Sequence, residues 1–242
     1  MNVFGDAIVW LNDPLNWQGR DGVPFLTYEH LYISGLAVLL GALVALPTAL
    51  TLGHVGRGGG FTVSVTNVTR AIPILALLTV FAATAVGFGN RATIIALSVF
   101  AVPPLLTNAY VGIREVDRDV VEAARGMGMS ETSILFRVEL PLAVPLIAAG
   151  LRTCAVQVVA TATLAALVGG GGLGKIINSG FGQQDPGQYV AGGILVALLA
   201  LLTEGALALL QRQVTPGRDR ARSRRSVREA SDADADAAVS VS

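Results

Sequence analysis

The chain has 242 residues, of which 52% are hydrophobic and only 14% charged, with a mean hydropathy of +0.62. A soluble domain of this size carries about a quarter of its residues as charges. So little charge excludes an ordinary water-solvated surface and makes lipid the expected solvent. The one cysteine, Cys154, excludes an intramolecular disulfide and a Cys-based zinc site, and its apolar setting makes it a packing residue.

In chain order, residues Met1 to Glu29 have no basic start and no apolar core of signal-peptide length, and Asp6, Asp13 and Asp21 interrupt them. Residues 1–27 are expected to be an extracytoplasmic N-terminal segment. A membrane helix needs about 20 largely apolar residues, because the hydrocarbon core is ~30 Å thick and a helix rises ~1.5 Å per residue. Five stretches meet that length: 31–52; 71–89, entered upstream so that the span is about 65–89; 92–113; 140–168; and 189–210. Pro47, Pro73, Pro103, Pro104 and Pro145 lie in or near them, which membrane helices tolerate where neighbours satisfy the freed carbonyls. The predicted class is all-α integral membrane with five transmembrane helices.

Orientation follows from the basic residues. One side holds Arg57, Arg114, Arg118, Arg125, Arg137 and the arginines from Arg212 to Arg228, while the other holds only Arg20, Arg91 and Lys175. Basic loops stay in the cytoplasm, so the N-terminus is expected outside and the C-terminus inside. The membrane unit is expected over 28–211. Residues 212–242, arginine-rich and then Ser, Asp and Ala, have too few large apolar residues to fold and read as a disordered cytoplasmic tail. That tail fixes topology, or binds anionic headgroups.

The longest inner connection, 114–139, is patterned as two short helices. Asp119 is expected to cap the first, with Glu122 reaching back as in a capping box. Gly126 and Gly128 break it, and Ser130 caps a second helix through Ile134, Leu135 and Val138. Such a compact protrusion reads as a docking surface.

Glu122-Ala123-Ala124, three residues, Gly128, nine residues, then Val138-Glu139-Leu140-Pro141 resembles the EAA loop of bacterial ABC importer permeases, with valine for the usual isoleucine. Further segments resemble osmoprotectant-importer permeases: Arg70 to Pro73 with Leu75 to Leu78, Leu106 to Asn108 with Tyr110 to Ile113, Gly126 to Leu140, Ala149 to Thr153, and Thr161 to Gly169. The resemblance covers about 29–210 and implies a type I ABC importer permease fold in the bacterial inner membrane. It implies import of glycine betaine, carnitine, choline or proline. It also implies partners: ABC ATPase subunits, a second permease subunit and an external substrate-binding protein. In the family the loop docks into the ATPase. By resemblance Glu122 pairs with a basic group there, Ala123 and Ala124 allow close packing, and Arg125, Gly126, Met127 and Gly128 complete the turn. No nucleic-acid partner and no metal are expected. ATP and magnesium belong to the ATPase chain, and this chain is expected to be a transporter subunit without enzymatic activity.

Gly169 to Lys175 reads GGGGLGK, the first part of a phosphate-binding loop. No Ser or Thr follows to hold magnesium and the preceding segment is a membrane span, so no nucleotide is expected there. Arg70, Arg152 and Glu204 are the charges set most deeply in spans, and a brace between Glu204 and Arg152 or Arg70 at the inner gate is expected. Asn108, Thr161 and Thr163 are polar residues within spans that line the path or bond helix to helix. Two alternatives stay open: the same architecture carrying another small solute such as an amino acid, and an ion-coupled carrier. The carrier would call for internal repeats and more intramembrane acids, and would leave the EAA loop without a role.

Overall fold

The computed structural model describes residues 2–214, apart from the side chains of Arg70 and Val214. Helix α1 (Val3–Asn12) is followed by a 3-10 turn at Pro14–Trp17 and the long α2 (Val23–Val55). Then come α3 (Gly59–Ala71), α4 (Ile74–Ala82) and α5 (Asn90–Arg114). The 114–139 connection holds α6 (Arg118–Gly126) and α7 (Glu131–Ile134), which runs through a π turn at Leu135–Glu139 into α8 (Leu140–Thr161). A 3-10 stretch (Ala162–Val168), α9 (Gly174–Gln183) and α10 (Pro186–Val214) complete the chain.

Among the described residues four helices are long and apolar enough to cross a membrane, and five spans result if α3 and α4 count as one. That second span is not the single helix expected over 65–89. It bends by 76° between α3 and α4, and helix ends at Ala82. The cause is local: Pro73 disfavours helical backbone at the residue before it, and Ile72 is extended at φ −82°, ψ 119°.

The core is the contact of α2, α5 and α8. On α2, Ala37, Gly41, Ala45, Ala49 and Gly53 recur every fourth residue and are all buried. Four residues is close to one helical turn, so they form a stripe of small side chains that lets another backbone approach. A methyl on Gly41 would stand 2.8 Å from Ala101 Cβ, and one on Gly53 2.8 Å from Ile113 Cβ, which shows that α5 fills the stripe. Cys154 on α8 is buried in this core, its thiol 3.5 Å from the Ala101 carbonyl. Thr66 and Thr107 hydrogen-bond at 2.8 Å and tie α3 to α5.

The N-terminal segment expected over 1–27 contains α1, which packs on α10, with Gly187 against the Asp6 backbone. Of the tail expected over 212–242, residues 212–214 are not disordered but continue α10, and those from residue 215 lie outside the described residues.

Candidate functional site

Two polar clusters hold the ends of the bundle, and the first is built around the 114–139 connection. Here α6 is capped by Asp117, whose carboxylate accepts from the Asp119 amide at 2.9 Å, and not by the expected Asp119–Glu122 box. The chain turns out of α5 at Glu115, and Asp117 has the non-helical backbone that a cap requires (φ −55°, ψ 125°). The helix ends at Gly126, and Gly128 takes φ +82°, a left-handed turn that glycine adopts at little cost. Ser130 then caps the next helix, accepting from Ser133 N at 3.3 Å. That helix does not stay separate: it continues through the π turn into α8.

Val116, Val121, Ala124 and Ile134 are buried together with Met129 and Val138 against them, so the protrusion has a small core of its own. The opposite face carries Glu122, Ala123, Arg125, Gly126, Met127 and Gly128, all exposed, with Met127 77% exposed. Among the described residues Glu122 joins none of the ion pairs that brace the loop.

Those contacts form a chain that runs from Arg125 through Glu131, His54 and Glu139 to Arg118. Arg125 grips Glu131 through two bonds of 2.7 and 2.9 Å. The hydrogen bond from Arg125, beside its charge, holds the Glu131 carboxyl below the usual carboxylate range, so this exposed loop group stays ionised at neutral pH. Glu131 Oε2 lies 3.3 Å from Nε2 of His54, in the last turn of α2. The other imidazole nitrogen, Nδ1, bonds Glu139 Oε2. Glu139 is fully buried, and Arg118 stands 3.6 Å from its second oxygen while reaching the last carbonyls of α5. Removing one partner of such a buried pair costs about 3–5 kcal/mol. His54 and Glu139 are not among the sequence-predicted site residues. Glu139 had a signal, a lone acid one residue before an apolar span, whereas nothing local marks His54.

The second cluster, at the other end of the bundle, is the glycine loop after α8. Gly169 closes the 3-10 stretch at φ +71°. The loop amides then face side chains: Gly171 N donates to Asn90 Oδ1 at 2.6 Å, Gly172 N to Glu29 Oε2 at 2.9 Å and Leu173 N to His30 Nδ1 at 3.2 Å. Asn90 Nδ2 donates to Glu29 Oε1 at 2.9 Å, and Lys175 Nζ is 3.8 Å from Oε2. His30, fully buried, donates from Nε2 to the Val159 carbonyl at 2.8 Å, which with Nδ1 accepting fixes a neutral imidazole. The amides that would cradle phosphate in a nucleotide site are occupied by the protein's own Asn90, Glu29 and His30 side chains.

The remaining predicted residues are dispersed. Arg152 and Glu204 form an ion pair of 3.5 Å between α8 and α10, both side chains about a third exposed or more. The side chain of Arg70 lies outside the described residues. Asn108 and Thr161 bond carbonyls of their own helices, Pro104 O at 2.8 Å and Gln157 O at 2.7 Å, while the buried Thr163 hydroxyl has no partner. Asn108 also packs on Gly150, where a methyl has no space.

An all-helical bundle of apolar spans that projects one self-folded, polar-faced loop from a single end is a multi-pass membrane subunit of the type I ABC importer permease class. The chain belongs to the family of binding-protein-dependent transport system inner membrane components, whose model matches residues 37–216. It is 39% identical over 192 residues to the choline transport system permease protein OpuBB of Bacillus subtilis, covering 79% of this chain and 88% of that one. It is 40% identical over 190 residues to the carnitine transport permease protein OpuCB of Listeria monocytogenes, covering 78% and 87%. Its fold is similar to an inward-facing structure of the MetNI methionine ABC transporter, with TM-score 0.71 and 26% identity over 84% of this chain and 99% of that one. Permeases of this family work with ATPase subunits and substrate-binding proteins, and the chain is a transporter subunit of the inner membrane.

Proposed function

We propose that this permease imports a quaternary-ammonium or related osmoprotectant, of the glycine betaine, carnitine, choline and proline class. The observation that carries the substrate class is likeness along most of the chain to permeases named for choline and carnitine. The exposed face of α6, with Glu122 and Met127 free on a self-supporting loop, supports docking of a separate ATPase there, which binds ATP and magnesium. The loop end is then cytoplasmic, in agreement with the arginine distribution, and the N-terminus lies outside. A second permease subunit, identical or related, completes the path, since a bundle of five spans encloses little space by itself. The apolar surface of the helices meets lipid. ATP binding draws the two ATPases together, the docked loops follow, and the spans open alternately.

Within the bundle the Arg152–Glu204 pair supports the expected brace at the inner gate. Thr163, half-buried with a hydroxyl that has no partner among the described residues, is the best supported of the three path residues. A second reading, an amino acid as cargo, draws on the likeness to the methionine transporter, at lower identity.

The test is uptake of labelled glycine betaine, carnitine, choline and proline at low and high osmolarity, in cells with and without this subunit and lacking redundant systems. Loss of uptake of at least one solute is expected. Unchanged uptake of all four refutes the substrate class and favours the second reading.

A further inference from the structure

We propose that Arg118, Glu139 and His54 form a relay that makes the end of α2 follow the docked loop, with the Arg118–Glu139 gap closing when the ATPase pulls on α6. This rests on the docking of the ATPase at α6 proposed above. The argument begins with geometry. Four elements end within one cluster: α2 at His54, α5 at its last carbonyls, α6 at Arg118, and α8 at Glu139. Both arginines at the ends of this chain of contacts, Arg118 and Arg125, belong to α6, and each holds one of the two carboxylates that flank the same imidazole. A displacement of α6 therefore reaches His54 by two routes, through Glu139 and through Glu131.

The π turn makes this convergence possible. Glu131 and Glu139 are eight residues apart, and eight ordinary helical steps would leave them ~80° apart around the axis. A π turn, bonded i to i+5, winds less per residue. With residues 135–139 in a π turn, both carboxylates reach one side chain.

The cluster is also incomplete in a way that implies a second arrangement. Among the described residues Glu139 Oε1 is buried without a hydrogen-bond partner, and the guanidinium of Arg118 is 3.6 Å away. A charge-assisted hydrogen bond closes to ~2.7–2.9 Å. A shift of less than about 1 Å at the start of α6 would supply the missing bond, and the penalty of an unsatisfied buried acceptor favours that shift. In the relay, a pull on α6 closes this gap. These three are positioning residues: they touch neither solute nor nucleotide.

The experiment uses the whole transporter in proteoliposomes, with its ATPase, partner permease and binding protein, and reads ATP hydrolysed per solute imported. The double variant H54L/E139L replaces the buried pair with apolar side chains, a change that buried pairs often tolerate in stability. It is expected to keep the ATPase bound while the ratio rises about tenfold, within the range of measured coupling between sites. Arg118→Gln is expected to raise the ratio in the same direction, and Arg118→Lys, which keeps the charge, to restore most of the coupling. A ratio within about twofold of wild type in both the double variant and Arg118→Gln overturns the relay. If the double variant does not accumulate, Arg118→Gln, whose side chain is 39% exposed, decides alone. Glu122→Arg separates the two readings: ATPase still bound to that variant refutes docking at α6 and the relay with it, whereas ATPase lost from it beside an unchanged ratio in Arg118→Gln refutes the relay alone.

Discussion

Replacing Gly171 by alanine sets a methyl group directly against the Glu29 carboxylate. A methyl there would stand 1.8 Å from the carboxyl carbon of Glu29 and within 2.0 Å of both its oxygens. Gly171 is not among the positive-φ glycines, so the effect is crowding and not backbone strain. The carboxylate has to leave its place, and it then loses its bonds to Gly172 N and Asn90 Nδ2, both 2.9 Å, and its approach to Lys175. Hydrogen bonds to a charged group contribute about 1.5–3 kcal/mol each, so two lost bonds amount to at most about 3–6 kcal/mol, less whatever water returns to a carboxylate 17% exposed. The assay is thermal inactivation of the purified transporter in detergent, beside Gly205→Ala, where nothing lies within 4 Å of the added methyl. The Gly205 variant is expected within about 0.5 kcal/mol of wild type. Equal stability of Gly171→Ala and wild type would refute the view that Glu29 pins the glycine loop.

Further outcomes follow from the same geometry. Val121→Asp puts a carboxylate into the small core of the loop, where Val121 is 2% exposed, and should cost about 2–4 kcal/mol locally; ATPase co-purification is lost while the spans still insert. Gly53→Leu overpacks the contact of α2 with Ile113 and is expected to cost about 1–3 kcal/mol or more, measured by yield and thermal inactivation of the solubilised complex. Glu204→Gln breaks a half-exposed ion pair worth about 0.5–1 kcal/mol, so assembly should survive and uptake should fall; unchanged uptake removes the bracing role.

Most of the membrane architecture was legible in the sequence because its causes are local. Hydrocarbon thickness sets the length of an apolar run, and 31–52, 92–113 and 189–210 all lie inside single helices. Ser130 and Gly128 act within one turn of chain and occupy the roles their residue types favour. The cap at Asp117 instead of Asp119 shows the margin of such reasoning. Both residues are competent caps, and the turn leaving α5 chose between them.

The polar anchors were not legible, and the reason is equally physical. His54 meets Glu139 across 85 residues, and Glu29 meets Gly172 across 143. A buried carboxylate takes whatever donor packing brings to it, and neither propensity nor periodicity encodes that distance. The bend at Ile72 and Pro73 lies between these cases. Proline fixes where the helix breaks, but the 76° angle depends on how α3 and α4 each pack against α5. By itself, then, the sequence determined the spans, the loop and the family to which the chain belongs. The tertiary structure alone decided which charges share a site, because long-range pairing is settled only when the helices have packed.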